Sequence, residues 1–149
     1  MSRVSFTVKV DTLRPQLAKL QAAGKDTTPV MRSMGNVFKS ITEGNFNSVG
    51  AQHRPAPWPA KKDGTAATLK KSGLLWHSFH LTVGKNLATL SNPTPYAAHH
   101  QFGSSKATGR GSGLPARPFY PVVNNQLTPY AQAQITAAGE RAIRRVLKT

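Results

Sequence analysis

Apolar and polar residues alternate at the start of the chain and change to a longer period soon afterwards. Within residues 3–10, RVSFTVKV, the valines and the phenylalanine occupy every second position, with serine, threonine and lysine between them. This period of two is typical of a half-buried β-strand, because successive side chains of a strand point to opposite faces. The first element is therefore predicted to be a strand with one apolar face.

Three segments show the helical period instead, and each follows residues suited to a helix start. The first helix is predicted between Asp11, as its N-cap, and Gly24, as its C-terminal stop. The second and third each open with a Thr-Pro pair, and they are predicted over about residues 28–46 and 128–147. Their apolar stripes are expected to pack against the rest of the fold.

The middle of the chain is broken up by proline and glycine. The stretches LLWHSFHLTVG and NLATLSN predict two strands joined by a hairpin turn at Gly84-Lys85. The stretch YAAHHQF predicts one or two turns of helix, ended by the Gly103 that follows it. These elements predict one α+β domain over residues 1–149, in which a small antiparallel β-sheet packs with amphipathic helices.

Two long loops are predicted at about residues 50–71 and 103–117. The first contains PAPWP, and the second is rich in glycine and serine. Loops of this length in compact domains tend to be functional or mobile. Trp58 is expected to pin the first loop to the body of the protein, in preference to forming an exposed stacking platform for nucleic-acid bases.

Charge is the strongest signal in the composition. The 149 residues include 20 Lys and Arg but only 5 Asp and Glu, which gives a formal net charge of +15. Such a field favours polyanions, acidic protein surfaces or anionic lipid and does not determine the fold. Basic residues near a helix C-terminus are also favoured by the helix dipole, so a solvated surface remains the alternative. The positions predicted to form electropositive surfaces are Lys106, Arg110, Arg141, Arg144, Arg145 and Lys148.

The residue types needed for catalysis or metal binding are scarce and scattered. Acid–base catalysis needs paired carboxylates, or a nucleophile with a base and an orienting acid. The five histidines show no known metal-ligand spacing, cysteine is absent, and no apolar run approaches the roughly 18 residues of a membrane span. We therefore expect no enzymatic activity, no metal, no cofactor and no membrane segment. The five acidic residues are Asp11, Asp26, Glu43, Asp63 and Glu140.

Five short motifs follow one another in a specific order. They are Glu-Gly at 43–44, then PAPWP, LKKSGLLWHSF, PYAAHHQFG and LPARPF. In this order they resemble the phage virion morphogenesis family, which includes the tail completion proteins of Mu-like phages. The last two motifs are the most specific. The motif residues that the resemblance marks as candidate assembly or interface positions are Trp58, Tyr96, His100, Gln101, Arg117 and Phe119.

The resemblance implies a structural protein at the head-proximal end of the phage tail, the neck. Such a protein completes or terminates the tail and enables head–tail joining, as a tail-terminator-like ring that we expect to be homohexameric. Its partners would be itself, tail tube and head–tail connector proteins, and genomic DNA contacted without sequence preference. It would reside in the virion and, during assembly, in the host cytoplasm. The alternative is a sequence-nonspecific nucleic-acid-binding protein.

The resemblance also implies roles for the motif side chains. Tyr96 and Phe119 would anchor turns against the core. Arg117, which is held between prolines of fixed φ, would present a rigid bidentate donor to a carboxylate of this chain or of a neighbour. A clamp on carbonyl groups of the same chain is the alternative. His100 and Gln101 would hydrogen-bond to the backbone.

Overall fold

The computed structural model describes most of the chain, in five stretches. They are residues 4–8, 11–47, 51–70, 73–103 and 115–148. Lys106 and Arg110, predicted to form part of an electropositive loop, lie outside the described residues, as does Ser72 of the LKKSGLLWHSF motif.

Five helices and five strands form in the described stretches. The helices are α1 (Arg14–Ala22), α2 (Thr28–Gly44), α3 (Leu74–His77), α4 (Ala97–Phe102) and α5 (Pro129–Leu147). The strands are β1 (Val4–Val8), β2 (His80–Val83), β3 (Ala88–Asn92), β4 (Val122–Val123) and β5 (Gln126–Leu127). Short 3-10 turns occupy Asp11–Leu13 and Ala51–His53. The predicted α+β class is confirmed.

The main sheet is antiparallel, with strand order β1-β3-β2. Phe6 of β1 lies opposite Leu90 of β3, and Thr7 lies opposite Thr89. The apolar positions of β1 pack into the core, while Thr7 Oγ1 and Thr89 Oγ1 lie 2.8 Å apart on the other side. The period-two pattern of the first strand therefore assigns the two faces correctly, because its apolar residues all point to the side that packs.

Helix α2 lies between the sheet and α5, and two glycines allow the close approach. A Cβ atom added at Gly35 would come within 2.8 Å of Leu81 Cδ1 on β2. A Cβ added at Gly139 of α5 would come within 2.5 Å of Leu13 Cδ1 and 2.9 Å of Met34 Sδ. A side chain at either position would require the neighbouring Leu81, or Leu13 and Met34, to shift, so the absence of a Cβ favours the close packing found.

The first part of the predicted second strand is helical instead. Leu74–His77 forms the single turn α3, entered through Gly73 at φ +75°. Leu75 and Phe79 are both buried, a spacing of four residues that suits a helical turn better than an alternating strand. The hairpin turn also differs from the prediction, because four residues separate Val83 from Ala88 and the Gly84 N–H donates to the Leu87 carbonyl.

The predicted helix caps are correct at one helix and displaced at two. Thr128 Oγ1 accepts a hydrogen bond from the Ala131 N–H at the start of α5, as the Thr-Pro pair indicates. At α2 the N-cap is Thr27, without a side-chain cap bond, and Thr28 is the first helical residue, whose N–H donates to Asp26 Oδ1. Asp11 forms an ion pair of 2.7 Å with Arg14 and does not cap α1.

Candidate functional site

Gln101 links helix α4 to the segment that carries the PARPF motif. Its side chain is 6% exposed, and its Oε1 accepts the N–H groups of Phe119 and Tyr120, both at 3.0 Å. Buried N–H groups need acceptors, and this segment has no strand neighbour that would supply them in the described part of the chain. One amide oxygen therefore holds two consecutive residues of the motif in place.

Arg117 joins α4 to the proline-rich loop. Its backbone N–H donates to the His100 carbonyl at 2.7 Å. Its guanidinium Nε donates to the Pro59 carbonyl at 2.8 Å, and Nη2 donates to the Ala60 carbonyl at 3.0 Å. The carbonyl clamp left open by the sequence is thus the arrangement found. The prediction that Arg117 binds a carboxylate of this chain is wrong. All five acidic side chains lie in described residues, and none of them is paired with Arg117.

His100 lies beside this clamp with an unusual environment. Its Nδ1 is buried and has no hydrogen-bond partner among the described residues, so the expected backbone bond of its side chain is not found there. The ring of Tyr96 meets it edge to face, with 5.6 Å between ring centroids. Burial, followed by the positive charges of Arg117 and His99, lowers the pKa of His100 below the ordinary value of 6.5. The imidazole is consequently neutral at pH 7.

Trp58 fastens the proline-rich loop to the same segment. Its Nε1 donates to the Pro118 carbonyl at 2.9 Å, and its ring meets Phe46 edge to face at 5.7 Å. The Arg54 guanidinium lies 3.7 Å from the ring centroid, a cation–π contact. One ring face and the indole N–H are therefore engaged within the chain, as expected of a loop anchor.

Phe119 lies at the centre of an aromatic cluster in the core. It is fully buried and stacks on Phe46, with ring centroids 5.5 Å apart, while Phe79 meets it edge to face at 5.6 Å. Its carbonyl accepts the Nδ2–H of Asn45 at 2.7 Å. Phe119 is thus an anchor of the PARPF segment, and Tyr96 packs against the core from the partly exposed side.

Two residues of this constellation escaped sequence reasoning. Asn45 directly follows the Glu-Gly motif and bonds the Phe119 carbonyl across 74 residues of sequence. Tyr120 directly follows PARPF, and its hydroxyl lies 2.9 Å from the Val4 carbonyl and 3.1 Å from the Leu90 carbonyl. Burial raises the pKa of Tyr120 far above its usual value of 10.0, so the hydroxyl stays protonated and donates. Their position beside recognised motifs was the one available signal.

A groove of about 940 Å³ opens where the loop, α4 and the PARPF segment meet. Tyr96, His100 and Arg117 line one part of it. The remaining lining comes from the loop that Trp58 anchors, and the residues are Lys61, Ala67, Thr68 and Leu69. Three of the six motif residues singled out from the sequence therefore meet at one concave surface.

The basic face of α5 is a separate, convex surface. Its four cations are exposed: Arg141, Arg144, Arg145 and Lys148. Arg145 Nη2 donates to Ser33 Oγ at 3.2 Å, which places this end of α5 beside the start of α2. On the opposite face Ala142 and Ile143 are buried as predicted, but Leu147 in the last turn is 63% exposed.

Comparison with known proteins shows the family of this chain, which the geometry of the site does not determine. Residues 8–148 match the phage virion morphogenesis family. The chain belongs to this family. It is also 34% identical over 119 residues to Mu-like prophage FluMu G protein 2 of Haemophilus influenzae, a match that covers 80% of each of the two proteins. No solved structure gives a significant match.

Membership in the virion morphogenesis family implies a structural role in building phage particles instead of a catalytic one. Within the described part of the chain, no group of three or more His, Cys, Asp or Glu side chains is placed to hold a metal ion. Among the helices described, none is long and apolar enough to cross a membrane.

Proposed function

We propose that the chain is a non-enzymatic structural subunit at the head-proximal end of the phage tail. There it completes or terminates the tail and enables joining to the DNA-filled head. The observation that supports this proposal is the family match over residues 8–148, which runs from the last residue of β1 through α5 and so includes all five motifs and all five helices.

In the particle the subunit would act as a homohexameric ring. The β-sheet has edges suited to such contacts, since β1 and β2 each pair with β3 alone among the described strands. An edge strand leaves N–H and C=O groups available for another chain. The neighbours of the ring would be the tail tube on one side and the head–tail connector on the other.

The basic face of α5 favours a second candidate function, nonspecific binding of nucleic acid. None of its four cations forms an ion pair with a carboxylate in the described part of the chain. Facing the lumen of a ring, they would contact DNA phosphates without reading sequence. Facing outward, they would steer the subunit toward acidic neighbours.

The test is electron microscopy of lysates from a phage that lacks this gene, with and without the gene supplied in trans. We expect filled heads separate from tails, or tails of abnormal length, and restoration by the supplied gene. Normal infectious particles without the gene would overturn the proposal.

The nucleic-acid candidate is separated from the structural role by a salt wash of purified particles. A structural subunit remains with the particles at high salt, whereas a protein held by phosphate contacts alone is released as those contacts are screened.

A further inference from the structure

The groove beside α4 contains a buried cation with no anionic partner among the described residues. Arg117 is only 6% exposed, yet its guanidinium bonds two neutral carbonyl groups and no carboxylate. A buried charge is costly unless it is paired, and carbonyl groups compensate it only in part. The guanidinium also has N–H groups beyond the two that these bonds use.

None of the five acidic side chains, all of which lie in described residues, supplies the missing anion. Asp11 pairs with Arg14. Asp26 and Asp63 accept hydrogen bonds from their own turns, from Thr28 and Thr65 respectively. The other two acidic residues, Glu43 and Glu140, lie on α2 and α5 and do not line the groove. Every acidic side chain is thereby accounted for.

A second polar group at the groove also has no partner among the described residues. His100 lines the groove together with Arg117, and its buried Nδ1 makes no hydrogen bond there. Lys61 adds a cation at the exposed rim, and Thr68 adds a hydroxyl. Arg117, Lys61 and Thr68 thus place hydrogen-bond donors around one concave surface, and the His100 imidazole lies beside them.

The rest of the lining is apolar, and one of its residues has an unusual backbone conformation. Ala67 is buried, and Leu69 is half-buried with φ at +56°, a left-handed conformation that is rare for a bulky residue. Strained backbone of this kind concentrates at ligand-contacting segments. The groove therefore combines a cationic floor with an apolar wall.

We propose that this groove binds the carboxylate side chain of an acidic, apolar-flanked segment from a partner protein. The inference rests on the proposed function in that it places the partner among the neighbouring proteins of the particle. A DNA backbone fits the groove less well, because Arg117 is recessed and duplex phosphates reach convex, exposed cations such as those of α5 more readily.

Occupation of the groove has a specific signature at His100. A carboxylate in the groove lies beside the His100 imidazole, favours the imidazolium and raises its pKa, whereas burial, followed by Arg117 and His99, acts in the opposite direction. Tyr96 packs against the ring and Lys61 lies at the rim. Binding should therefore take up a proton and strengthen as pH falls from about 7.5 to 6.

The probe is a pair of capped peptides, acetyl-Ala-Leu-Glu-Leu-Ala-amide and its Gln counterpart, titrated into the full chain at fixed ionic strength. Binding is measured by calorimetry, and the His100 imidazole is followed by NMR. We expect the Glu peptide to bind at least about ten-fold more tightly, since hydrogen bonds to charged groups exceed neutral ones by that order. It should also raise the pKa of His100.

Lys61 and Lys62 supply the matched control, because both are exposed neighbours and only Lys61 lines the groove. Lys61→Ala should weaken the Glu peptide several-fold, and Lys62→Ala should leave it unchanged. Equal binding of the two peptides, or an unmoved His100, would overturn the proposal. So would a DNA duplex that displaces the Glu peptide and shifts His100 equally well.

The peptide assay needs no phage particle, so its result is independent of the gene-deletion experiment. Retained peptide binding with normal particles in the deletion strain would refute the proposed function alone. Absent peptide binding with defective particles would refute the groove alone.

Discussion

The motif cluster around Phe119 and the basic face of α5 use polar groups in opposite ways. In the cluster, Gln101, Arg117 and Trp58 direct their hydrogen bonds to backbone atoms of the same chain. On α5, the cations extend into solvent, and Arg145 alone among the four has a described hydrogen-bond partner, Ser33. A specific sequence motif can therefore hold loops in place through bonds to the backbone, while the exposed basic face of α5 carries no motif.

The largest expected effect on stability comes from a substitution in the motif cluster around Phe119. Phe119→Ala should lower the free energy of unfolding by about 3–5 kcal/mol, because it removes a fully buried aromatic ring. Chemical denaturation measures the change. Phe102→Ala is the matched control, since Phe102 is 72% exposed and its truncation should cost no more than about 0.5 kcal/mol. Similar costs for the two variants would show that the cluster around Phe119 contributes no more to stability than an exposed ring.

Gln101→Ala should have the next largest effect and lower the free energy of unfolding by about 2–4 kcal/mol. The substitution leaves the buried N–H groups of Phe119 and Tyr120 without their acceptor, and each unsatisfied group is costly. Chemical denaturation again measures the change. Gln101→Glu retains an acceptor oxygen and should be less destabilised. Gln134→Ala, at an exposed position of α5, controls for removal of the amide itself. A Gln101→Ala protein as stable as the Gln134→Ala protein would show that the two bonds contribute little.

Elements with a strong local period could be predicted from the sequence, and long-range contacts could not. Strand β1 and helices α2 and α5 follow from periods of two and 3.6, because those periods assign a face to each residue. The β4-β5 hairpin has no such period, because each strand is only two residues long. Its turn at Asn124 and Asn125, with φ at +52° and +63°, was the available signal.

The candidate site was predictable as a set of positions but not as a geometry. Arg117 and Pro59 are 58 residues apart, and no local pattern indicates that one clamps the carbonyl of the other. The prolines around Arg117 indicate rigidity, and rigidity serves a carboxylate or a carbonyl equally well. Family resemblance located the motif, and only the fold determined its contacts.

On the α5 side, substitutions should leave stability unchanged and alter binding instead. Arg144→Gln with Lys148→Gln should keep the free energy of unfolding within about 1 kcal/mol of the wild type. The salt dependence of duplex DNA binding should fall, by about 0.9 in log–log slope for each phosphate that the variant no longer neutralises. Lys19→Gln with Lys62→Gln removes the same charge from exposed positions elsewhere. Equal slopes for the two double variants would mean that total charge matters and the α5 face does not.

The smallest expected effect is the pH dependence of stability that His100 causes. Unlike Gln101, Arg117 and Trp58, His100 has a buried ring nitrogen, Nδ1, with no partner among the described residues. Because the pKa of His100 is lower in the folded protein than its ordinary value of 6.5, the unfolded chain binds the proton more readily. Stability should therefore decrease as pH falls from 7 through the region below 6.5. Denaturation midpoints measured across this range should show the decrease in the wild type and less of it in His100→Gln. His80→Gln, at an exposed position of β2, should keep the wild-type slope, and a slope that disappears equally in both variants would assign the pH dependence to net charge instead of burial.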